Sequence, residues 1–182
     1  MRSDQFVVPG PPILLPLGLV LMVVSWVVLR RRGQLTPMRL GVAWLAGWYA
    51  VAVLGATLLP LHLSWGADPQ FFRINPIPLT QIRPRDSVLN IVMTLPFAAI
   101  LHVLFGVRDK MRVIRLGLLL SAGIEITQCV LILIVHDNRW AEANDIIANV
   151  LGVYLGYLAF HRLLRVDAIR RLVSDLETVP AP

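Results

Sequence analysis

Three stretches carry polar side chains at helical spacing within apolar surroundings: Asp86, Asn90 and Thr94; Ser121, Glu125 and Gln128; Asp145 and Asn149. Carboxyl and amide groups so placed can hold a cation or a hydroxyl, pass a proton as general acid or base, or clasp one helix to another. Glu125 is the sharpest case, because Leu116–Val135 is otherwise uncharged and mostly apolar. An ionised acid near a bilayer centre costs about 2.5–3.5 kcal/mol on insertion scales, so it faces a partner or a polar cavity.

At 100° per residue, Asp86, Asn90, Thr94 and Phe97 share a sector of about 80°. Ser121, Glu125 and Gln128 share about 60°, as do Asp145, Asn149, Gly152 and Gly156. Gly152 and Gly156 form a Gly-xxx-Gly step, read as a helix-packing surface. Arg139, in the loop between the fourth and fifth spans, is the cation that lies between Glu125 and Asp145 in sequence. A pairing among the three would answer the desolvation cost of Glu125. His136, Asp137, Glu142 and Asp145 have metal-ligand types without motif spacing, so neither a metal site nor a cofactor is expected. His62, His102 and His161 are scattered and read as interfacial or packing residues. The single cysteine, Cys129, excludes an intrachain disulfide and reads as a packing residue.

The elements that position these groups follow from hydropathy. With 57% hydrophobic and 15% charged residues and a mean hydropathy of +0.70, the chain is too apolar for a soluble domain of 182 residues. Five windows approach or exceed the length needed to cross a ~30 Å hydrocarbon layer, at roughly 13–29, 40–61, 88–105, 116–135 and 146–164. The expected fold is all-α, a polytopic integral membrane protein with a bundle of about five transmembrane helices. The first window follows a proline-rich start, but its flank (Arg2, Asp4) lacks the positive region of a secretory signal and no small-residue cleavage site follows, so it is kept as a span. Pro96 lies inside the third window and should kink it.

Of 17 Lys and Arg, twelve flank the spans on one side (Arg30 to Arg39, Arg108 to Arg115, Arg162 to Arg171) and five lie on the other. That bias places the N-terminus outside and the C-terminus in the cytoplasm. The pI of 10.7 then reflects lipid headgroups as counter-ions, not nucleic acid. The polar side chains converge on the outer half, with Gln128 about 10 Å and Glu125 about 15 Å below the end of their helix.

The one long loop, 62–87, is outside; its paired prolines Pro76 and Pro78 favour extended backbone. Trp65, Phe71 and Phe72 suit a membrane interface, so the loop either lies on the headgroups or covers an outward-facing pocket. After Leu164, Val166, Ile169, Val173 and Leu176 repeat at helical spacing opposite Arg170, Arg171 and Asp175. This predicts a short amphipathic helix on the cytoplasmic surface, ahead of a disordered end at Val179–Pro182. The chain divides into 1–39 (first span and basic loop), 40–164 (the remaining spans) and 165–182 (the tail).

The order of motifs resembles one family. An Asn-Pro-Ile-Pro stretch (Asn75–Pro78) precedes Asp-x-x-x-Asn-Ile (Asp86–Ile91) and Pro96-Phe97; then come Glu-x-x-Gln (Glu125–Gln128), Arg139, and Asn144–Gly156. Together they are similar to the VanZ-like family of small bacterial membrane proteins, over about 45–160. The resemblance implies signature residues at Asn90, Glu125, Gln128, Arg139, Asp145 and Asn149. Two positions depart from it: Asn144, where the family often has an acid, and Ala98-Ala99, where it has a Gly-rich step. The first weakens a two-carboxylate mechanism. The family's namesake is associated with resistance to teicoplanin, a lipid-bearing glycopeptide antibiotic.

The leading expectation is a non-enzymatic, multi-pass protein of the bacterial plasma membrane. It would meet membrane lipid and bind an amphiphile or cell-envelope component in an outward polar pocket, influencing teicoplanin-type resistance. One alternative is an intramembrane enzyme on a lipid-linked envelope substrate, with Glu125 as the candidate catalytic acid or base. The other is a structural or assembly protein in which the polar cluster only fixes helix packing.

Overall fold

The computed structural model describes residues 5–64 and 70–177. Trp65, the Arg2 and Asp4 flank and the Val179–Pro182 end lie outside the described residues.

The fold is helical, with five segments long and apolar enough to cross a membrane. They are α1 (Pro11–Arg31), α2 (Pro37–Leu58), the pair α3 (Pro84–Thr94) and α4 (Phe97–Phe105), α5 (Lys110–Val135) and α6 (Ala143–Leu163). The described residues also hold four short strands outside the helices: β1 (Gln5–Val8), β2 (Leu61–Ser64), β3 (Ile74–Asn75) and β4 (Ala141–Glu142). A final helix, α7 (Asp167–Glu177), follows the last span.

Local chemistry sets the helix ends. The Thr36 hydroxyl accepts the Arg39 N–H at 3.3 Å, with Pro37 in the first helical position of α2. Asp109 caps α5 by accepting the Arg112 N–H at 2.8 Å, so α5 starts six residues before its uncharged window. Gly106, at φ 65°, ends α4 in the left-handed conformation glycine tolerates best. Between α3 and α4, Leu95 and Pro96 keep helical dihedrals. Pro96 has no N–H to donate, and the third span is broken there into two helices.

The helix α6 is the axis of the bundle: α3, α4 and α5 all pack on it. A Cβ on Gly152 would strike the Thr94 hydroxyl and the Ile91 backbone, and one on Gly156 would strike the Leu95 carbonyl. Those two glycines therefore set how closely α3 and α6 approach. Thr94 fixes the crossing by donating to the Asn149 carbonyl at 2.9 Å. Below the crossing lies a small core of Ala98, Leu101, Val113 and Val153.

The helix α1 packs on α2 through Gly18, whose missing side chain makes room for the Trp48 ring. Beyond the spans, β1 pairs antiparallel with β2 and β3 pairs parallel with β4. Among the described residues the long loop also holds a 3-10 turn at Phe71–Arg73, upstream of Pro76 and Pro78. At the opposite, arginine-rich end, α7 rests on α4 and buries Val173. His102 and His161, far apart in sequence, meet there edge to face with ring centroids 5.7 Å apart, beside Phe160.

Candidate functional site

A cavity of about 560 Å³ opens at the end of the bundle that carries the β3 and β4 loops, with walls from α2, α3, α5 and α6. Its floor is polar. Glu125, on the buried face of α5, is 6% exposed, and its Oε2 accepts the backbone N–H of Glu142 at 2.9 Å. That N–H belongs to the residue preceding α6, among the donors that a helix start leaves without an intrahelical acceptor. A neighbouring helix thus supplies part of what water supplied to the carboxyl.

Asn149, one turn along α6 from Asp145, donates to the Ser121 hydroxyl at 2.9 Å and ties α6 to α5. Asn90 on α3 brings its amide to the Asp145 carboxyl. The six residues expected to form the site, Asn90, Glu125, Gln128, Arg139, Asp145 and Asn149, all line this one cavity. Gly152 and Gly156 lie outside its lining, in the contact with α3.

One expected arrangement is corrected. Among the described residues, no ion pair joins Arg139 to Glu125 or Asp145. The Arg139 guanidinium instead turns to the C-terminal end of α2, donating to the Ala56 carbonyl at 3.1 Å and to the Leu59 carbonyl. Its Nε lies 3.7 Å from Asp137 Oδ2. The reason is that the last carbonyls of a helix lack intrahelical donors and carry the negative end of its dipole, which attracts a guanidinium. Gln128 does the same work one residue on, donating to the Thr57 carbonyl at 2.8 Å. Burial lowers the pKa of Arg139 from its ordinary value, and the Asp137 charge opposes that shift.

Several residues of the site gave no periodic signal in the sequence. Glu142, 4% exposed, places Oε1 3.4 Å from Arg83 Nη1. Arg83 in turn covers the Trp140 ring, its guanidinium carbon 4.2 Å from the centroid. Asp137, fully buried, accepts the backbone N–H groups of His62 at 3.1 Å and Asn138 at 2.8 Å. Asn144 closes the loop over the α6 terminus by donating to the Thr80 carbonyl and accepting the Leu79 N–H, both at 2.7 Å. An ionised acid at that position could accept but not donate.

The rim differs from the floor. Of the exposed residues that border the cavity, Ala56 on α2 and Leu89 and Val92 on α3 are aliphatic, each of the latter pair 55% exposed, and Asp86 at the start of α3 is charged. Between α2 and α3 the connection is sparse, with the Tyr49 hydroxyl donating to the Met93 carbonyl at 2.9 Å. A polar floor with exposed aliphatic residues at one side suits a molecule with one polar and one apolar end.

Fold and site together define a polytopic helical membrane protein with a polar cavity at one end of its bundle. The sequence profile of the VanZ/LLP1 family matches residues 17–165, and the chain belongs to that family. No curated protein and no solved structure matches it.

Proposed function

We propose that this protein binds an amphiphile, a lipid or a lipid-bearing envelope molecule, without transforming it. The head group would sit among Glu125, Glu142, Asp145 and Asn149, and the tail would leave between α2 and α3. The observation that carries this reading is the pairing of a buried polar floor with exposed aliphatic residues, Ala56, Leu89 and Val92, at the side of the cavity between α2 and α3. Twelve of the 17 Lys and Arg lie by the opposite end of the bundle, which supports an outward-facing cavity in the bacterial plasma membrane. There it would meet molecules such as teicoplanin, the lipid-bearing glycopeptide with whose resistance the family's namesake is associated. The test is Glu125→Gln at unchanged protein level. Altered teicoplanin susceptibility and altered surface binding of a labelled lipoglycopeptide are the expected outcome; no change in either rejects the reading.

A second reading, an intramembrane enzyme on a lipid-linked substrate, draws on one observation. Glu125, Glu142 and Asp145 lie close enough for their charges to interact, so an acid and a base could be drawn from the same cluster. Lipid profiling of a deletion strain separates the two: an accumulated precursor favours the enzyme, and an unchanged lipid pool removes it.

A further inference from the structure

We infer that the amphiphile taken by this cavity carries a primary ammonium on its head group; the inference rests on the binding role proposed above and names the chemical class of its ligand. Four carboxyl groups line the cavity, Asp86, Glu125, Glu142 and Asp145, against two guanidiniums, Arg83 and Arg139. Both guanidiniums are engaged. Arg83 pairs with Glu142 and lies over Trp140, while Arg139 holds Asp137 and the end of α2. A negatively charged head group would therefore face more carboxyls than guanidiniums among the described lining residues, and both of those guanidiniums already have carboxylate neighbours.

The second observation is independent of charge. Gln128 and Asn149, 7% and 2% exposed, both line the cavity, and each carries a buried oxygen, Gln128 Oε1 and Asn149 Oδ1, with no donor. Their amide nitrogens are used, on the Thr57 carbonyl and the Ser121 hydroxyl. Among the described lining residues the buried atoms without a hydrogen-bond partner are mostly acceptors, Glu142 Oε1 with them, against one donor, Arg139 Nε. An acceptor buried without a donor costs roughly 1–3 kcal/mol, which a ligand N–H can recover. A primary ammonium brings three donors and one positive charge; a trimethylammonium brings the charge alone. A quaternary head would look instead for an aromatic face. The Trp140 ring is taken, with Arg83 at 4.2 Å and Arg73 at 5.6 Å from its centroid.

The experiment is native mass spectrometry of the full chain in detergent, titrated with four probes. Lysophosphatidylethanolamine, lysophosphatidylcholine and lysophosphatidylglycerol share phosphate and chain, and differ in the head; dodecylammonium has the amine without phosphate. Lysophosphatidylethanolamine should bind about tenfold more tightly than either other lysolipid. Glu125→Gln, which keeps the acceptor for the Glu142 N–H, should erase that preference. Comparable binding of dodecylammonium assigns the ammonium alone as the ligand, and weaker binding assigns an ammonium presented by a phospholipid; both support the inference. Saturable binding of all three lysolipids with equal strength overturns the ammonium and leaves the amphiphile reading standing. No saturable binding of any probe overturns both.

Discussion

The helices α1 and α6 have the same length, 21 residues, and both qualify as spans, yet they stand in opposite relations to the protein. Gly18 is the buried residue of α1, whereas α6 buries Asn144, Ala148, Asn149, Gly152, Val153 and Gly156. The more apolar helix is the peripheral one. In lipid, apolar side chains gain little by turning inward, so close packing and hydrogen bonding decide which helix takes the centre. Small and polar residues build α6 into the bundle, and the same residues furnish the cavity.

The comparison is broken most severely at Gly156. Gly156→Val would drive its Cβ into the Leu95 carbonyl and should lower stability by about 3 kcal/mol or more, read as a fall in the thermal midpoint in detergent. Gly123→Ala on the open face of α5, where an added Cβ meets nothing within 4 Å, is the matched control and should be neutral or slightly stabilising. A similar loss in both would mean that the α3–α6 crossing has no special tightness.

Arg139→Ala comes next, at about 2 kcal/mol, because it strips two carbonyls, in the last turn of α2 and just past its end, of their donor and leaves buried Asp137 without its guanidinium. Protease sensitivity should rise first around Ala56 to His62. Glu125→Gln should cost under about 1 kcal/mol, since Gln still accepts the Glu142 N–H. Its effect falls on ligand binding, so a loss of folding there would favour a purely structural clasp. The smallest effect belongs to α1: Leu19→Ala, at a residue 60% exposed, should shift the thermal midpoint within the range of a surface change, about 0.5 kcal/mol.

Much of this was legible in the sequence, and for a physical reason. Spans announce themselves by hydropathy, and Asn90, Glu125, Gln128, Asp145 and Asn149 by a helical period that places them on single faces. Arg139 was legible as a partner, but not whose. Its acceptors, Ala56 in the last turn of α2 and Leu59 just past its end, are 83 and 80 positions away, and backbone carbonyls leave no mark in a sequence. Glu142, Asp137 and Arg83 lie between or at the edges of helices, where no period operates. The one hint was the density of charged and polar residues in the short segment His136–Asn144. In consequence the six expected site residues divide in two: Gln128 and Arg139 hold the end of α2, while Asn90, Glu125, Asp145 and Asn149 form the floor of the cavity.

The most direct measurement is photocrosslinking in nanodiscs with a photoactivatable lysophosphatidylethanolamine bearing the reactive group near the head end of its acyl chain, adducts being mapped by mass spectrometry. The expected result is adducts concentrated at Ala56, Leu89, Val92 and Met93 around the cavity, competed by unlabelled lysolipid and lost in Glu125→Gln. Adducts spread along exposed residues of α1 such as Leu15, Leu19 and Val23 as heavily as around the cavity, and unchanged by Glu125→Gln, would contradict a ligand site.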